Sequence, residues 1–254
     1  MQMSYRSHAA ALHILWGLLS SPVWAGEVSV AVAANFAAPM ERIAALFQKD
    51  SGHKVMVTLG ASGKLYTQIK GGAPFDVFLS ADEDMPKRLL QDGLAVTGSR
   101  FDYATGRLAL WSTQQNLVDD KGVVLNSSNF NKLAIANYVF SPYGVAAKET
   151  LEKLKMWNSL QRKLKKGDSV TEAYQLAATD LVDLAFISLA QIMRDGKVTK
   201  GSWWLVPSEL HNPIQQSAVQ LSGAKDPAAA QAFMAFMKSD KAKAVMRGFG
   251  YEIP

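Results

Sequence analysis

Short apolar runs alternate with amphipathic stretches along most of the chain. Runs of β-branched residues and alanine predict buried strands, and the first of them is Val28–Ala33. The stretch after it has four apolar residues at the i, i+3, i+4, i+7 spacing of one helix face: Met40, Ile43, Ala44 and Phe47. Strands and helices continue to alternate, which indicates an α/β fold with a largely parallel sheet.

The same pattern predicts the remaining elements. The further strands are Val55–Leu59, Asp76–Leu79, Arg107–Trp111, Lys132–Ala136, Leu184–Ser188, Trp203–Val206 and Ser217–Leu221. The further helices are Lys64–Lys70, Pro86–Gln91, Val145–Met156, Thr171–Ala178 and a final one capped by Asp226 and Pro227. They form two α/β units, the second inserted into the first. We therefore predict a lobe 1 from residues 26–104 and 209–254 and a lobe 2 from residues 105–208.

Residues 1–25 have the pattern of a cleavable export signal. Arg6 precedes an apolar run over residues 9–19, the small residue Ala25 offers a cleavage position, and the first acidic residue is Glu27. The apolar run is shorter than the roughly 20 residues that a membrane-spanning helix needs. We expect cleavage after Ala25 and export to the periplasm, without a lipid anchor because the chain has no cysteine.

The composition of the 254-residue chain excludes several kinds of functional site. Apolar residues make up 48% and charged residues 19%, which is typical of a folded globular protein. The absence of cysteine excludes disulfides, thiolate zinc sites, iron–sulfur clusters and a cysteine nucleophile. The net charge of +5 permits an anionic partner. No run of Lys or Arg is interleaved with aromatic residues, so the sequence does not point to nucleic acid.

Four strand-to-helix turns combine small, polar or glycine residues: Ala34-Asn35-Phe36, Ala61-Ser62-Gly63, Ser141-Pro142-Tyr143-Gly144 and Asp168-Ser169-Val170. A helix N-terminus presents unpaired N–H groups and a partial positive charge, so it attracts anions. Helix capping explains each turn taken alone. Together, four such turns at the carboxyl ends of strands favour a cleft that holds an anion. We expect Asp168 to cap its helix rather than to face this cleft.

Two other motifs suggest catalysis. Gly60–Leu65 looks like the end of a P-loop, but Thr58 replaces the first glycine and Leu65 the residue that would hold magnesium. Ser51-Gly52-His53-Lys54 matches the Ser-x-x-Lys of acyl-serine enzymes, which makes a secreted acyl-enzyme using Ser51 and Lys54 an alternative of a different class. The motif lies between a helix and a strand and lacks its partner motifs, so a binding protein is favoured over an enzyme.

The chain resembles the periplasmic molybdate-binding proteins of ABC importers. The stretches that carry the resemblance are Ala33–Phe36, Gly60–Leu65, Gly72–Asp82, Pro142–Lys148 and Met246–Tyr251. The most specific of these stretches is Gly72–Asp82, and the resemblance as a whole extends over essentially all of the chain after residue 25. The resemblance implies the type II periplasmic binding protein fold: two lobes, each a mixed, mostly parallel sheet flanked by helices, with the ligand cleft between them.

The resemblance also implies a function. The protein would be a monomer without enzymatic activity or cofactor that captures molybdate, and tungstate with it, and delivers it to the permease of an ABC importer. Molybdenum would enter only as the oxyanion, with no side chain ligating the metal. A binder of sulfate or another small oxyanion on the same fold remains an alternative.

Four ligand residues are carried over from the resemblance: Asn35, Ser62, Tyr143 and Val170. Asn35 would donate through its amide and Ser62 through its hydroxyl, whereas Tyr143 and Val170 would use their backbone N–H groups. Ala34 and Ser188 are further candidates, and some members have a Tyr where this chain has Ser188. Neutral donors at helix N-termini can replace the water shell of a dianion. They would leave the donor of hydrogen phosphate unsatisfied.

Overall fold

The computed structural model describes residues 25–254, so the predicted signal lies, apart from Ala25, outside the described residues. The strands are β1 (Glu27–Ala33), β2 (Lys54–Gly60), β3 (Val77–Leu79), β4 (Phe101–Gly106), β5 (Leu108–Ser112), β6 (Leu133–Ala136), β7 (Leu164–Gly167), β8 (Leu184–Ser188), β9 (Met193–Arg194), β10 (Lys197–Val198), β11 (Ser202–Leu205) and β12 (Ile214–Gln220). The α-helices are α1 (Ala37–Ser51), α2 (Ser62–Lys70), α3 (Asp84–Gln91), α4 (Pro142–Lys153), α5 (Trp157–Leu160), α6 (Val170–Ala178), α7 (Pro227–Met237) and α8 (Asp240–Gly248). Within this part of the chain, no helix has both the length and the apolar character needed to cross a membrane.

Two five-stranded sheets define two lobes. The sheet of lobe 1 has the order β2-β1-β3-β12-β4, and that of lobe 2 has the order β11-β5-β8-β6-β7. In each sheet two pairings are parallel and two are antiparallel. The antiparallel pairings all involve β4, β5, β11 or β12, the strands next to the points where the chain crosses between the sheets. The crossings lie between Gly106 and Leu108 and between Leu205 and Ile214.

The core of lobe 1 follows the helix pattern read from the sequence. The predicted apolar face of α1 is buried: Met40, Ile43, Ala44 and Phe47. The Phe47 ring packs edge-on against Phe233 of α7, with centroids 5.3 Å apart, so the C-terminal helices return to this lobe. The predicted cap of α7 is confirmed, since the Asp226 carboxylate accepts the Ala229 N–H at 2.9 Å.

Some elements differ from those that the hydrophobic pattern predicts, because proline geometry or strand pairing determines where they form. Helix α4 begins at Pro142 rather than at the predicted Val145 because the fixed φ of proline suits the first turn. The hydrophobic pattern does not predict β4 or the β9–β10 hairpin. Strand β4 (sequence FDYATG) carries polar residues and is held by its antiparallel pairing with β12, which lies far away in the sequence.

Candidate functional site

The four turns singled out in the sequence meet where the two lobes face each other. One buried cluster contains a residue in or next to each turn: Ala33, Tyr143, Val170 and Ala81, whose N–H donates to Ser62. The four predicted ligand residues are themselves buried, none more than 3% exposed: Asn35, Ser62, Tyr143 and Val170. The structure therefore brings together residues that are up to 135 positions apart (35 to 170) in the chain.

Two hydrogen bonds to backbone carbonyls cross the cleft beside these turns. The Gly63 N–H of α2 donates to the Phe140 carbonyl at 2.9 Å, and the Thr171 hydroxyl of α6 donates to the Ala34 carbonyl at 3.1 Å. A Cβ at Gly63 would lie only 3.1 Å from Phe140 Cα, so glycine permits this close approach. The lobes are thus in a closed arrangement around the turns.

Ser62 keeps a hydrogen available for a ligand. Its Oγ accepts the Ala81 N–H at 2.9 Å, and a serine hydroxyl that accepts one hydrogen bond still has its own hydrogen to donate. Helix α2 is capped by Ala61 without a side-chain bond, so capping does not account for Ser62. The Ser62 hydroxyl is held in place by lobe 1 itself.

Asn35 is held differently from the sequence expectation. Its Nδ2 donates to Gln216 Oε1 and to the Tyr251 hydroxyl, both at 2.9 Å. A carboxamide nitrogen has only two hydrogens, so the amide donor expected for an anion is occupied in this conformation. The first N–H groups of a helix have no acceptor within the helix, and they are the donors that the turn at Ala34–Phe36 can offer.

Tyr143 and Val170 occupy the first turns of two lobe 2 helices. Tyr143 follows Pro142 at the start of α4, where the N-cap Ser141 makes no side-chain capping bond. Val170 is the first residue of α6, whose N-cap is Ser169. Their side chains are buried in the lobe 2 cluster, so the backbone N–H is what each can present at the helix N-terminus.

The expectation that Asp168 caps α6 is wrong. The Ser169 hydroxyl accepts the Glu172 N–H at 3.2 Å, because Ser169 is the residue directly before the first helical position. The exposed Asp168 carboxylate instead lies 2.5 Å from Lys64 Nζ across the cleft. The lysine nearest to Ser62 in the sequence is therefore paired with a carboxylate of lobe 2.

Of the two further candidates, Ser188 has both of its donors engaged within the protein, whereas for Ala34 this is shown only of the carbonyl. The Ala34 carbonyl accepts from Thr171. The Ser188 hydroxyl donates to the Tyr143 hydroxyl at 3.0 Å, and its N–H donates to Gln191 Oε1 at 3.0 Å. A direct contact of either residue with a ligand stays a prediction.

Sequence reasoning missed three buried polar side chains behind Asn35: Tyr103, Gln216 and Tyr251. Burial raises the pKa of Tyr251 to about 12 and that of Tyr103 well above its ordinary value, so both hydroxyls keep their hydrogen at neutral pH. Tyr251 lies in the C-terminal stretch that carries the family resemblance, and that was the only signal for any of the three.

A cavity of about 540 Å³ opens beside the turns, between the lobes. It is lined by residues 81–85 of lobe 1, by residues 138–142, 145–146 and 149 of lobe 2, and by residues 212–215. Burial raises the pKa of Asp82, at its edge, to about 6. None of the four predicted ligand residues lines this cavity, which borders the site through Ala81 and Ser141.

The arrangement does not support the acyl-enzyme alternative. Ser51 ends α1, and its hydroxyl donates to the Phe47 carbonyl at 2.7 Å. Lys54 Nζ lies 3.8 Å from the Glu27 carboxylate in an exposed pair. Neither group is placed to activate the other. Residues 25–254 also contain no group of three or more His, Asp or Glu side chains that could hold a metal ion.

The chain is similar to known bacterial binding proteins in sequence and in fold. The profile of the bacterial extracellular solute-binding protein family matches residues 28–252. The molybdate-binding protein ModA of Azotobacter vinelandii is 48% identical over 235 residues, 92% of this chain and 93% of that protein. The ModA of Rhodobacter capsulatus is 44% identical over 97% of this chain and 96% of its own length. The solved structure of the Azotobacter vinelandii periplasmic molybdate-binding protein superposes with a TM-score of 0.88 at 40% identity, covering 89% of this chain and 99% of that one.

Proposed function

We propose that this chain, which belongs to the bacterial extracellular solute-binding protein family, is a periplasmic molybdate-binding protein of an ABC transporter. The relatives described above are binding proteins and not enzymes. We further propose that it also takes tungstate, works as a monomer after removal of residues 1–25, and passes its ligand to the membrane permease. The observation that carries the proposal is the meeting of four turns at helix N-termini from two lobes, with uncharged donors.

The donors suit an oxyanion that has no hydrogen of its own. Ser62 would supply its hydroxyl, and Tyr143 and Val170 would supply backbone N–H groups at the positive ends of α4 and α6. The turn at Asn35 would contribute backbone N–H groups while its carboxamide stays bonded to lobe 1. Hydrogen bonds to a charged acceptor are about twice as strong as neutral ones, so several of them can replace the lost hydration.

The same donors explain how anions would be told apart. Hydrogen phosphate carries a hydrogen that a site built of donors cannot accept, and that unsatisfied group lowers its affinity. Sulfate carries no such hydrogen, so it would have to be rejected by size. Sulfate is therefore the decisive competitor, because a donor-only site by itself does not exclude it.

The test is calorimetric titration of residues 26–254 with molybdate, tungstate, sulfate and phosphate. We expect molybdate and tungstate to bind with similar affinity, sulfate at least about tenfold more weakly, a difference of about 1.4 kcal/mol, and phosphate not at all. Sulfate binding as tight as molybdate would instead support the alternative of a general small-oxyanion binder. Light scattering on the same samples tests the monomer.

A further inference from the structure

Six buried polar side chains form one connected group behind the four turns. We call this group the hinge network: Asn35, Tyr103, Tyr143, Ser188, Gln216 and Tyr251. None is more than 4% exposed. Tyr143 and Ser188 come from lobe 2, and the other four come from lobe 1. The network lies at Gly106, where the chain first crosses between the lobes.

On the lobe 1 side, the network fixes Asn35 through both its side chain and its backbone. Gln216 Oε1 accepts from Asn35 Nδ2 and from the Tyr103 hydroxyl, each at 2.9 Å. The Tyr251 hydroxyl accepts from Asn35 Nδ2 at 2.9 Å and lies 3.0 Å from the Asn35 carbonyl, to which it donates. Rotating the Asn35 amide would leave these buried groups without partners, which is costly.

On the lobe 2 side, two hydroxyls complete the network. The Ser188 hydroxyl donates to the Tyr143 hydroxyl at 3.0 Å, and both are near enough to the Tyr251 hydroxyl to influence its pKa. A Cβ at Gly106 would fall 2.7 Å from Gln216 Nε2 and closer still to the Tyr143 hydroxyl. The two groups from opposite lobes therefore approach each other over the bare Cα of Gly106. Among the described residues Gln216 Nε2 is buried and has no hydrogen-bond partner.

We propose that Gln216 and Tyr251 are positioning residues that couple the Asn35 turn to closure of the lobes. They hold the turn from lobe 1, and the hydroxyls of Tyr143 and Ser188 join them only when lobe 2 is closed. Opening the lobes would move Tyr143 and Ser188 away from Gln216 and Tyr251, so the network stabilises the closed state and slows release of a bound anion. The inference rests on the proposed function for the identity of that anion, but the coupling itself does not depend on it.

The test compares Tyr251→Phe and Gly106→Ala with the unchanged protein. Tyr251→Phe removes the hydroxyl that bonds to Asn35 beside lobe 2, and Gly106→Ala places a methyl group against Gln216 Nε2 and the Tyr143 hydroxyl without removing any polar group. The control is Thr150→Val, which also removes a buried hydroxyl but one that donates only to the Ala146 carbonyl of its own helix, at 2.8 Å.

Two readouts are measured on each protein. Stopped-flow fluorescence gives the association and dissociation rates for molybdate. Because the chain has no cysteine, cysteines placed at the exposed Met56 and Leu181 allow one label on each lobe, and their separation gives the closed fraction with and without anion. We expect both network variants to release molybdate about tenfold faster with little change in association, and to be less closed, whereas Thr150→Val behaves like the unchanged protein.

Wild-type dissociation rates and closed fractions in both network variants would overturn the inference. If Gly106→Ala does not fold, Tyr251→Phe alone decides. If the unchanged protein binds none of the four oxyanions, the proposed function fails, and the network is judged on the closed fraction in buffer: a decrease in the variants supports it, and no change overturns it.

Discussion

In the proposed site the two lobes differ in the donors that they would present. Lobe 1 would offer a side chain, the Ser62 hydroxyl, which is held in place by the Ala81 N–H of the same lobe, in addition to the backbone at Asn35. Lobe 2 would offer only backbone groups, at Tyr143 and Val170, whose side chains are buried in its own core. The type of side chain therefore matters to an anion on the lobe 1 face, and the position of the helix ends matters on the lobe 2 face.

This contrast means that alanine substitution removes only one proposed donor, the Ser62 hydroxyl. A backbone N–H survives every substitution except proline, so truncating the side chains of lobe 2 changes packing and not the donors. Side-chain and backbone donors can be separated by removing one at a time, and removal of a lobe 2 backbone N–H should weaken binding most.

Val170→Pro should weaken molybdate binding by about 3 kcal/mol. Proline removes the N–H and fits the first position of α6, and the preceding Ser169 already has the extended backbone that proline requires (φ −143°, ψ 170°). The loss of a hydrogen bond to a charged group costs about 1.5–3 kcal/mol, and the ring adds bulk at the cleft. Val170→Ala keeps the N–H and serves as the control in calorimetry. Equal effects of the two variants would show that the side chain, not the N–H, matters.

Ser62→Ala should weaken binding by about 1–3 kcal/mol without unfolding the protein, because one donor to a charged group is lost. Ser80→Ala is a matched control. Ser80 is also buried in lobe 1 and also accepts a backbone N–H, from Asp82 at 3.3 Å, but it is not a predicted ligand residue. Unchanged affinity of Ser62→Ala would remove Ser62 from the site and leave lobe 1 without a side-chain donor.

The lobes also differ in the carboxylates near the four turns, and this difference affects how stability depends on pH. Asp168 of lobe 2 is exposed and paired with Lys64, whereas burial raises the pKa of Asp82 of lobe 1 to about 6. A raised pKa means that the folded state holds the proton more tightly than the unfolded state. The contribution of Asp82 to stability is therefore present below about pH 4 and is lost as the pH rises through about 6.

Asp82→Asn should avoid that loss and be more stable than the unchanged protein at pH 7.5, by about 1–2 kcal/mol after allowing for partial exposure. Asparagine can still accept the Met85 N–H that Asp82 binds at 2.8 Å. Denaturant unfolding at pH 4 and pH 7.5 measures the difference, which should nearly vanish at pH 4. A difference that is the same at both pH values would mean that titration of Asp82 is not its cause.

Lys64→Gln should have the smallest effect, less than about 1 kcal/mol on molybdate affinity, because an exposed ion pair contributes little. Lys70→Gln is the control, since Lys70 is about as exposed as Lys64 and pairs with Asp92 inside lobe 1. A 100-fold loss of molybdate affinity in Lys64→Gln would show that a cation neutralises the anion. The proposal that both lobes use only uncharged donors would then be wrong.

Much of this architecture could be predicted because it depends on local patterns. The apolar face of α1 and the Asp226 cap of α7 follow from spacing and residue type within a few positions. The cap of α6 could not be assigned with the same certainty, because Asp168 and Ser169 are both good capping residues and only the backbone at the helix start selects Ser169. Strand β4 could not be predicted because its pairing with β12 joins distant parts of the chain.

The amino-acid order was sufficient to indicate the alternation of strands and helices, the turns at helix N-termini and the family resemblance, since each depends on neighbouring residues. Folding in three dimensions determined which hydrogens those turns have left to donate. Asn35 loses its amide to Gln216 and Tyr251, residues more than 180 positions away, while Ser62 keeps its hydroxyl hydrogen. The physical reason is that a hydrogen bond can be made only once, and the partner that takes it is chosen by how distant segments pack.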